Sequence, residues 1–401
     1  MQIGVPKESA AGERRVGLTP AVMPALHKAG YTVAVERGAG MEAGFADSLY
    51  EGQGVQLTDR GGVFSGSDLI VRVQGLGNMQ APGNTMGAAP SELELYKPGQ
   101  LIVGLLDPLG SPHANLTLAG RGVTTFAVEL LPRITRAQSM DVLSSMATIT
   151  GYKGVILAAD ALPKLFPMMM TAAGTYAPAK VLVVGAGVAG LQAIATARRL
   201  GAAVLAYDVR AASKEQVESL GAKFLELPLE TKGAEGTGGY AVRMDEDFYR
   251  KQRELMAKAV ADSDAVIATA QVPGSKAPVL ITAEMVQAMR PGSVIVDLAA
   301  ETGGNCALTK PGESIVVSGV TIMGPLNLVS TAANQASQMY ARNITAFLVA
   351  FAKDGQFHID QNDPIIKATL VASGGEVVQR QVRERLNLPA PARAGESAKS
   401  G

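Results

Sequence analysis

The chain carries one cysteine, Cys306, among 401 residues, so it can form no intrachain disulfide and gives no sign of an oxidising compartment. Histidine is nearly as scarce. His27, His113 and His358 lie far apart, beside no cysteine and in no HExxH-like spacing, so no metal site is expected. Charge of either sign is not in excess: 36 basic residues face 36 acidic ones, which leaves no global field to draw in nucleic acid or an anionic membrane. A membrane span is also missing from the pattern. The charge-free stretch 314–341 is broken by Gly324, Pro325, Asn327, Asn334 and Gln335 into a strand, a turn and a helix start. The opening Met1-Gln2-Ile3-Gly4-Val5-Pro6 lacks the basic head and long apolar stretch of a signal peptide, so a cytoplasmic location is expected.

What is present suits an α/β enzyme of two or three domains. Hydrophobic residues make up 47% of the chain and glycines number 45, the mixture of buried strands with many strand-to-helix turns. Apolar runs at Gln2 to Pro6, Thr32 to Glu36, Asp68 to Val73, Leu101 to Leu105 and Thr124 to Val128 read as strands, and Pro20 to Ala29 as a helix between two of them. This first α/β unit carries no glycine fingerprint and is a candidate substrate or docking domain. A long helix from Ser144 to Ala161 connects it, through a loop rich in methionine, glycine and proline, to a second unit with strands at Val181 to Val184, Ala203 to Asp208, Ala265 to Thr269, Ser293 to Asp297 and Gly319 to Met323. Another long helix runs from about Ser330 to Gly355, its apolar residues at helical spacing. The expectation is two Rossmann-like doubly wound domains joined by long helices. The N-terminal domain is discontinuous (1–143 with 331–386), the nucleotide-binding domain spans 144–330, and a flexible tail covers 387–401.

The second unit holds Gly185-Ala186-Gly187-Val188-Ala189-Gly190. A bare GxGxxG is weak evidence in so glycine-rich a chain, but this one follows four apolar residues and opens a helix. There the first glycine permits the tight turn, the second lets backbone approach a pyrophosphate and the third lets helix pack on strand. Exposed amides at the helix start then meet the phosphates. Asp208 ends the next strand, 18 residues after Gly190, close to the roughly 20 expected of the acid that binds an adenosine ribose. An acid there repels a 2′-phosphate and favours NAD(H), although Arg210 could accommodate one. Val209, Ala270 and Gln271 complete the expected nucleotide-binding set. Thr231 to Asp247 surrounds Tyr240 with glycines, which reads either as an ordinary surface loop or as a lid beside the cofactor domain.

Several segments together resemble the NAD(H)-binding component of proton-translocating transhydrogenases, which shares its fold with alanine dehydrogenase. They are the opening GVPKESAAGERRVGLTP, PRITRAQSMDVLSS (Pro132 to Ser145), the run from Val181 to Arg210, GGYAVRM (Gly238 to Met244) and VIVDLAAETGGNC (Val294 to Cys306). The resemblance covers nearly the whole chain. It implies that the loop of Arg133, Gln138, Asp141 and Ser144 serves the nicotinamide and hydride transfer. The arginine with the serine or aspartate would hold carboxamide and ribose, and the glutamine would reach toward the partner's nucleotide. Read alone, each of these is a loop-capping polar residue. The resemblance also implies that Tyr240 closes over the adenosine side.

The partners so implied are an NADP(H)-binding subunit and a membrane-spanning proton-channel subunit, with the chain peripheral at the cytoplasmic face of the inner membrane. A homodimer and AB (Si-Re) stereospecificity are implied as well. The rival is an alanine or similar amino-acid dehydrogenase, which needs a group to move a proton at the reacting carbon. The lysine and histidine of that enzyme align with Gln74 and Leu106, both inert as acid or base, while Arg15 and Glu301 match its substrate arginine and its acid.

Overall fold

The structure, a computed structural model, describes residues 1–75, 90–229, 244–272 and 275–389. The chain divides into two compact units, Met1–Ser145 with Ser330–Gly401, and Met146–Val329.

In the first unit, six parallel strands are ordered Gln56–Thr58, Thr32–Glu36, Gln2–Val5, Leu69–Gln74, Leu101–Leu105 and Thr124–Ala127. This is the 3-2-1-4-5-6 order of a doubly wound sheet. The returning C-terminal segment adds an antiparallel hairpin, Leu370–Ser373 and Glu376–Val377, beside Thr124–Ala127. Helices cover both faces, so the central strands are apolar throughout. Arg72 breaks that rule. It is fully buried, and its guanidinium is neutralised by Glu92 and, at 3.4 Å, by Glu8, with Ser9 Oγ accepting at 3.1 Å. The short strand Gln56–Thr58 and the terminal hairpin escape the sequence pattern because two to four residues carry too little periodicity to read.

The helix expected to stop at Gly355 is Ala333–Ala350 and is entered through a 3-10 turn. Asp354 and Gly355 both adopt left-handed φ and turn a tight hairpin, which takes the chain out of the helix at Phe351.

The second unit repeats the order. Lys223–Phe224, Ala203–Tyr207, Lys180–Val184, Ala265–Ala268, Val294–Asp297 and Val320–Met323 run parallel, and Ser314–Val317 adds an antiparallel edge. That edge strand was not expected, yet its cause is local. Ser318 (φ 52) and Gly319 (φ 78) are the two residues between Val317 and its partner Val320, the geometry of a type I′ hairpin. The long helix is Val142–Ala161, with Val155 and Ala158 buried in the core against the sheet. It is the one helix among the described residues long and apolar enough by composition to cross a membrane.

The methionine-rich stretch after it is not a plain loop. Met169–Thr171 and Gly174–Tyr176 pair as a hairpin whose residues are all exposed. Nor does the glycine-rich loop extend to Asp247. Asp245 caps the helix Glu246–Ala261 by accepting from Phe248 N at 2.8 Å. Gly238 to Arg243, with Tyr240, and the tail from 390 lie outside the described residues.

Candidate nucleotide site and its supporting loops

Strand order reverses in the second unit between Ala203–Tyr207 and Ala265–Ala268, on either side of Lys180–Val184, and the glycine turn follows that central strand. A crevice at such a switch point is where open α/β sheets bind nucleotides. Each glycine has a different reason to lack a side chain. Gly185 has φ +98, and a Cβ there would stand 2.7 Å from Thr269 Oγ1. Gly190 faces the turn itself, where a Cβ would be 1.8 Å from Gly185 O. Gly187 is exposed at the N-cap of helix Val188–Arg199, and a Cβ would meet nothing within 4 Å. Bare backbone facing open space at a helix start is the cradle a pyrophosphate requires. Val188 is exposed and Ala189 half-buried beside it.

Asp208, 9% exposed, joins this turn from the next strand. Its Oδ2 accepts from Ala186 N at 2.7 Å, and its Oδ1 from Arg210 N at 2.8 Å. Arg210 folds back so that Nε and Nη2 also donate to the carboxylate, each at 2.8 Å. Val209, between them, is half-buried on the core.

Ala270 and Gln271 follow the strand Ala265–Ala268, and the reason they stay there is Asn305, which sequence reading overlooked. Its amide is complementary to the backbone of Ala270, accepting from N at 2.9 Å and donating to O at 2.8 Å. It also donates to Pro278 O at 2.9 Å. Asn305 is in turn held by Asp297, whose Oδ2 accepts from the amides of Asn305 and Cys306 at 2.7 and 2.9 Å and from the Thr309 hydroxyl at 2.6 Å. Burial pushes the Asp297 carboxyl up, while Thr309 and the surrounding amides pull it down. The VDLAAETGGNC run is thus the brace of the Ala270 loop. Burial likewise raises the Cys306 thiol.

In the first unit, the segment from Arg133 to Ser144 wraps a six-residue 3-10 turn, Thr135–Met140, onto the helix Ala333–Ala350. Ala137 and Met140 are buried, Asn343 Nδ2 donates to Ser139 O at 2.8 Å, and Arg136 pairs with Asp363. Arg133 and Gln138 are left exposed. Asp141 and Ser144 are half-buried and bonded to one another: Asp141 accepts from Ser144 N at 2.9 Å and from Ser144 Oγ at 2.6 Å. That is a helix-start cap for Val142–Ala161.

The four positions singled out for the rival chemistry are occupied differently. Leu106 is a core residue, 6% exposed. Gln74 donates to Glu13 at 3.0 Å. Arg15 is neither a solvated charge nor half of a pair between domains. It is 4% exposed and grips Glu13 with Nε and Nη2 at 2.8 and 2.6 Å inside the first unit. Glu301 accepts from Asn327 N at 2.6 Å on an exposed loop. Among the described residues no group of three or more His, Cys, Asp or Glu side chains is placed to hold a metal.

The family model for the alanine dehydrogenase/PNT N-terminal domain matches residues 4–150, and that for the C-terminal domain matches residues 154–380. A chain of Rhodospirillum rubrum that carries the name NAD(P) transhydrogenase subunit alpha is 45% identical over 389 residues, 94% of this chain and 98% of the relative. The crystal structure of a transhydrogenase from Sinorhizobium meliloti superposes with a TM-score of 0.83 at 42% identity, covering 94% of this chain and all of that one. A solved L-alanine dehydrogenase has a TM-score of 0.79 at 27% identity, covering 96% and 99%.

Proposed function

Because the chain belongs to the alanine dehydrogenase/PNT family, we propose that it is the NAD(H)-binding subunit of a proton-translocating NAD(P) transhydrogenase. It passes hydride directly between NADH and NADP⁺ held on a partner subunit. The relatives named as transhydrogenases are the more similar ones, and alanine dehydrogenases stand further off.

The observation that carries the choice is chemical. Leu106 is packed in the core and Gln74 is a neutral amide tied to Glu13, so neither can move the proton that amino-acid oxidation demands. Direct transfer between nicotinamide rings needs no such proton. Bound NADH would supply the hydride, and the chain would supply position. Gly185 to Gly190 take the pyrophosphate, and Asp208, with Val209 and Arg210, takes the adenosine ribose. Ala270 and Gln271 border the same crevice. Arg133, Asp141 and Ser144 hold the nicotinamide end, Gln138 reaches toward the partner's nucleotide, and Tyr240 closes the adenosine side. Orientation with water excluded can contribute on the order of 7 to 11 kcal/mol for ideally placed reactants, which leaves side-chain acid or base work a minor part.

The remaining assignments follow from the same reading. An NADP(H)-binding subunit and a membrane-spanning proton-channel subunit complete the enzyme, with this chain at the cytoplasmic face and transfer of AB stereospecificity. A homodimer is supported by the hairpin carrying Met169, Met170 and Tyr176, which is exposed on every residue, since a lone two-stranded hairpin is marginal in water. The test is a two-arm assay: NADH oxidation with pyruvate and ammonia, and hydride transfer to NADP⁺ after adding an NADP(H)-binding transhydrogenase subunit. Turnover in the second arm alone supports the proposal; turnover in the first makes the chain an amino-acid dehydrogenase.

A further inference from the structure

The carboxylate assigned to the ribose is already saturated. An ionised aspartate offers about four acceptor positions, and four donors fill them here: Ala186 N, Arg210 N, and Nε and Nη2 of Arg210. A ribose hydroxyl can therefore bind Asp208 only by displacing one of these. The two amides are part of the turn backbone and cannot leave without unmaking it. The guanidinium hangs on a rotatable stem and is half-buried, so it is the exchangeable donor.

We propose that Arg210 is a built-in occupant of the ribose subsite, a cap that imitates the ribose diol and must swing out when NAD(H) binds. The inference rests on the assignment of Asp208 to the ribose and adds a specificity role for its neighbour. In the free protein the cap keeps a poorly exposed carboxylate paired, which unmated would be costly. On binding, two charge-assisted bonds to guanidinium are exchanged for bonds to neutral hydroxyls, which are weaker, so the cap lowers affinity for NADH. A 2′-phosphate meets the opposite balance. It is repelled by Asp208, but the displaced guanidinium is then at hand as its counter-charge. Arg210 thus narrows the preference for NAD(H) over NADP(H) from both sides.

Calorimetric titration of the full chain with NADH and with NADPH tests this on three variants. Arg210→Met keeps the stem and removes the donors. We expect it to bind NADH roughly tenfold more tightly, equivalent to about 1.4 kcal/mol, and NADPH no more tightly than before. Arg210→Lys keeps the charge without the two-pronged contact and should fall between. Unchanged or weaker NADH binding in both variants overturns the cap. Asp208→Asn separates this from the underlying assignment. If it leaves NADH affinity and selectivity unaltered, Asp208 is not the ribose acid. If it weakens NADH while Arg210→Met does not tighten it, the assignment stands and the cap falls.

Discussion

Gly151, inside the long helix, lies against the backbone of Ala189 in the phosphate turn, so closely that a Cβ would stand 2.0 Å from the Ala189 carbonyl oxygen. Nothing in the helix's own pattern requires glycine there, which by itself disfavours a helix interior by up to about 1 kcal/mol relative to alanine.

Gly151→Ala should therefore do the reverse of what helix propensity suggests. Backbone cannot yield as a flexible side chain does, so the turn must shift, at a cost of about 1 to 3 kcal/mol by analogy with overpacked cores. We expect a lower thermal midpoint and NADH binding weakened by about an order of magnitude or more. Gly120, at the end of another helix with nothing within 4 Å of its Cβ position, is the control. Its alanine variant should be neutral or stabilising in the same melt. A stabilised Gly151→Ala with normal NADH affinity would refute the close approach.

Asn305→Ala tests the brace. It strips the partner from Ala270 N–H and leaves the carbonyls of Ala270 and Pro278 without a donor; each such loss costs about 1 to 3 kcal/mol where water cannot replace it. The urea midpoint should fall and NADH should bind more weakly. Asn305→Asp keeps the acceptor alone and should recover part of both.

Gln138→Asn retains the amide and shortens its reach by one methylene. In a reconstituted complex we expect hydride transfer slowed at least about tenfold, the sensitivity of transfer to small misplacement. NADH affinity should change by less than about twofold on this reading. Equal losses of rate and affinity would assign Gln138 to binding instead of transfer.

Burial pushes the Glu129 carboxyl up to about 7, against bonds from the backbone amides around it. Its Oε1 accepts from Asp107 N at 2.6 Å, and its Oε2 is enclosed without a hydrogen-bond partner. A carboxyl whose folded value is raised holds a proton that the unfolded chain releases. Its contribution is therefore whole below about pH 4.5 and is lost as the pH rises through 7. Glu129→Gln, which cannot ionise, should raise stability at pH 8 by about 1 to 3 kcal/mol and change little at pH 4.5. Urea melts at the two values distinguish this from a pH-independent effect.

The phosphate turn was legible because its demands are local. A strand, three glycines and a helix sit within a dozen residues, and Asp208 ends the next strand. Gly151 and Asn305 were not legible, because the backbone each serves is more than thirty residues away in sequence and becomes a neighbour only once the sheet is wound. Arg15 misled for a related reason. Its partner Glu13 is two residues off, yet whether the pair faces water or core depends on strands far along the chain. The hairpin at Ser318 and Gly319 is the opposite case, a local signal of two residues that periodicity of the flanking runs obscured.

The strand Thr124–Ala127 has its outer edge covered by Leu370–Ser373, with the whole of the second unit encoded between them. On the ribosome, residues 146–329 are complete before that cover exists, so the nucleotide-binding unit can finish first. The unit that begins the chain must wait for its last strands with a sheet edge bare. Such an edge is a template for pairing with other nascent chains, and losses during production should concentrate in that interval rather than in the mature protein.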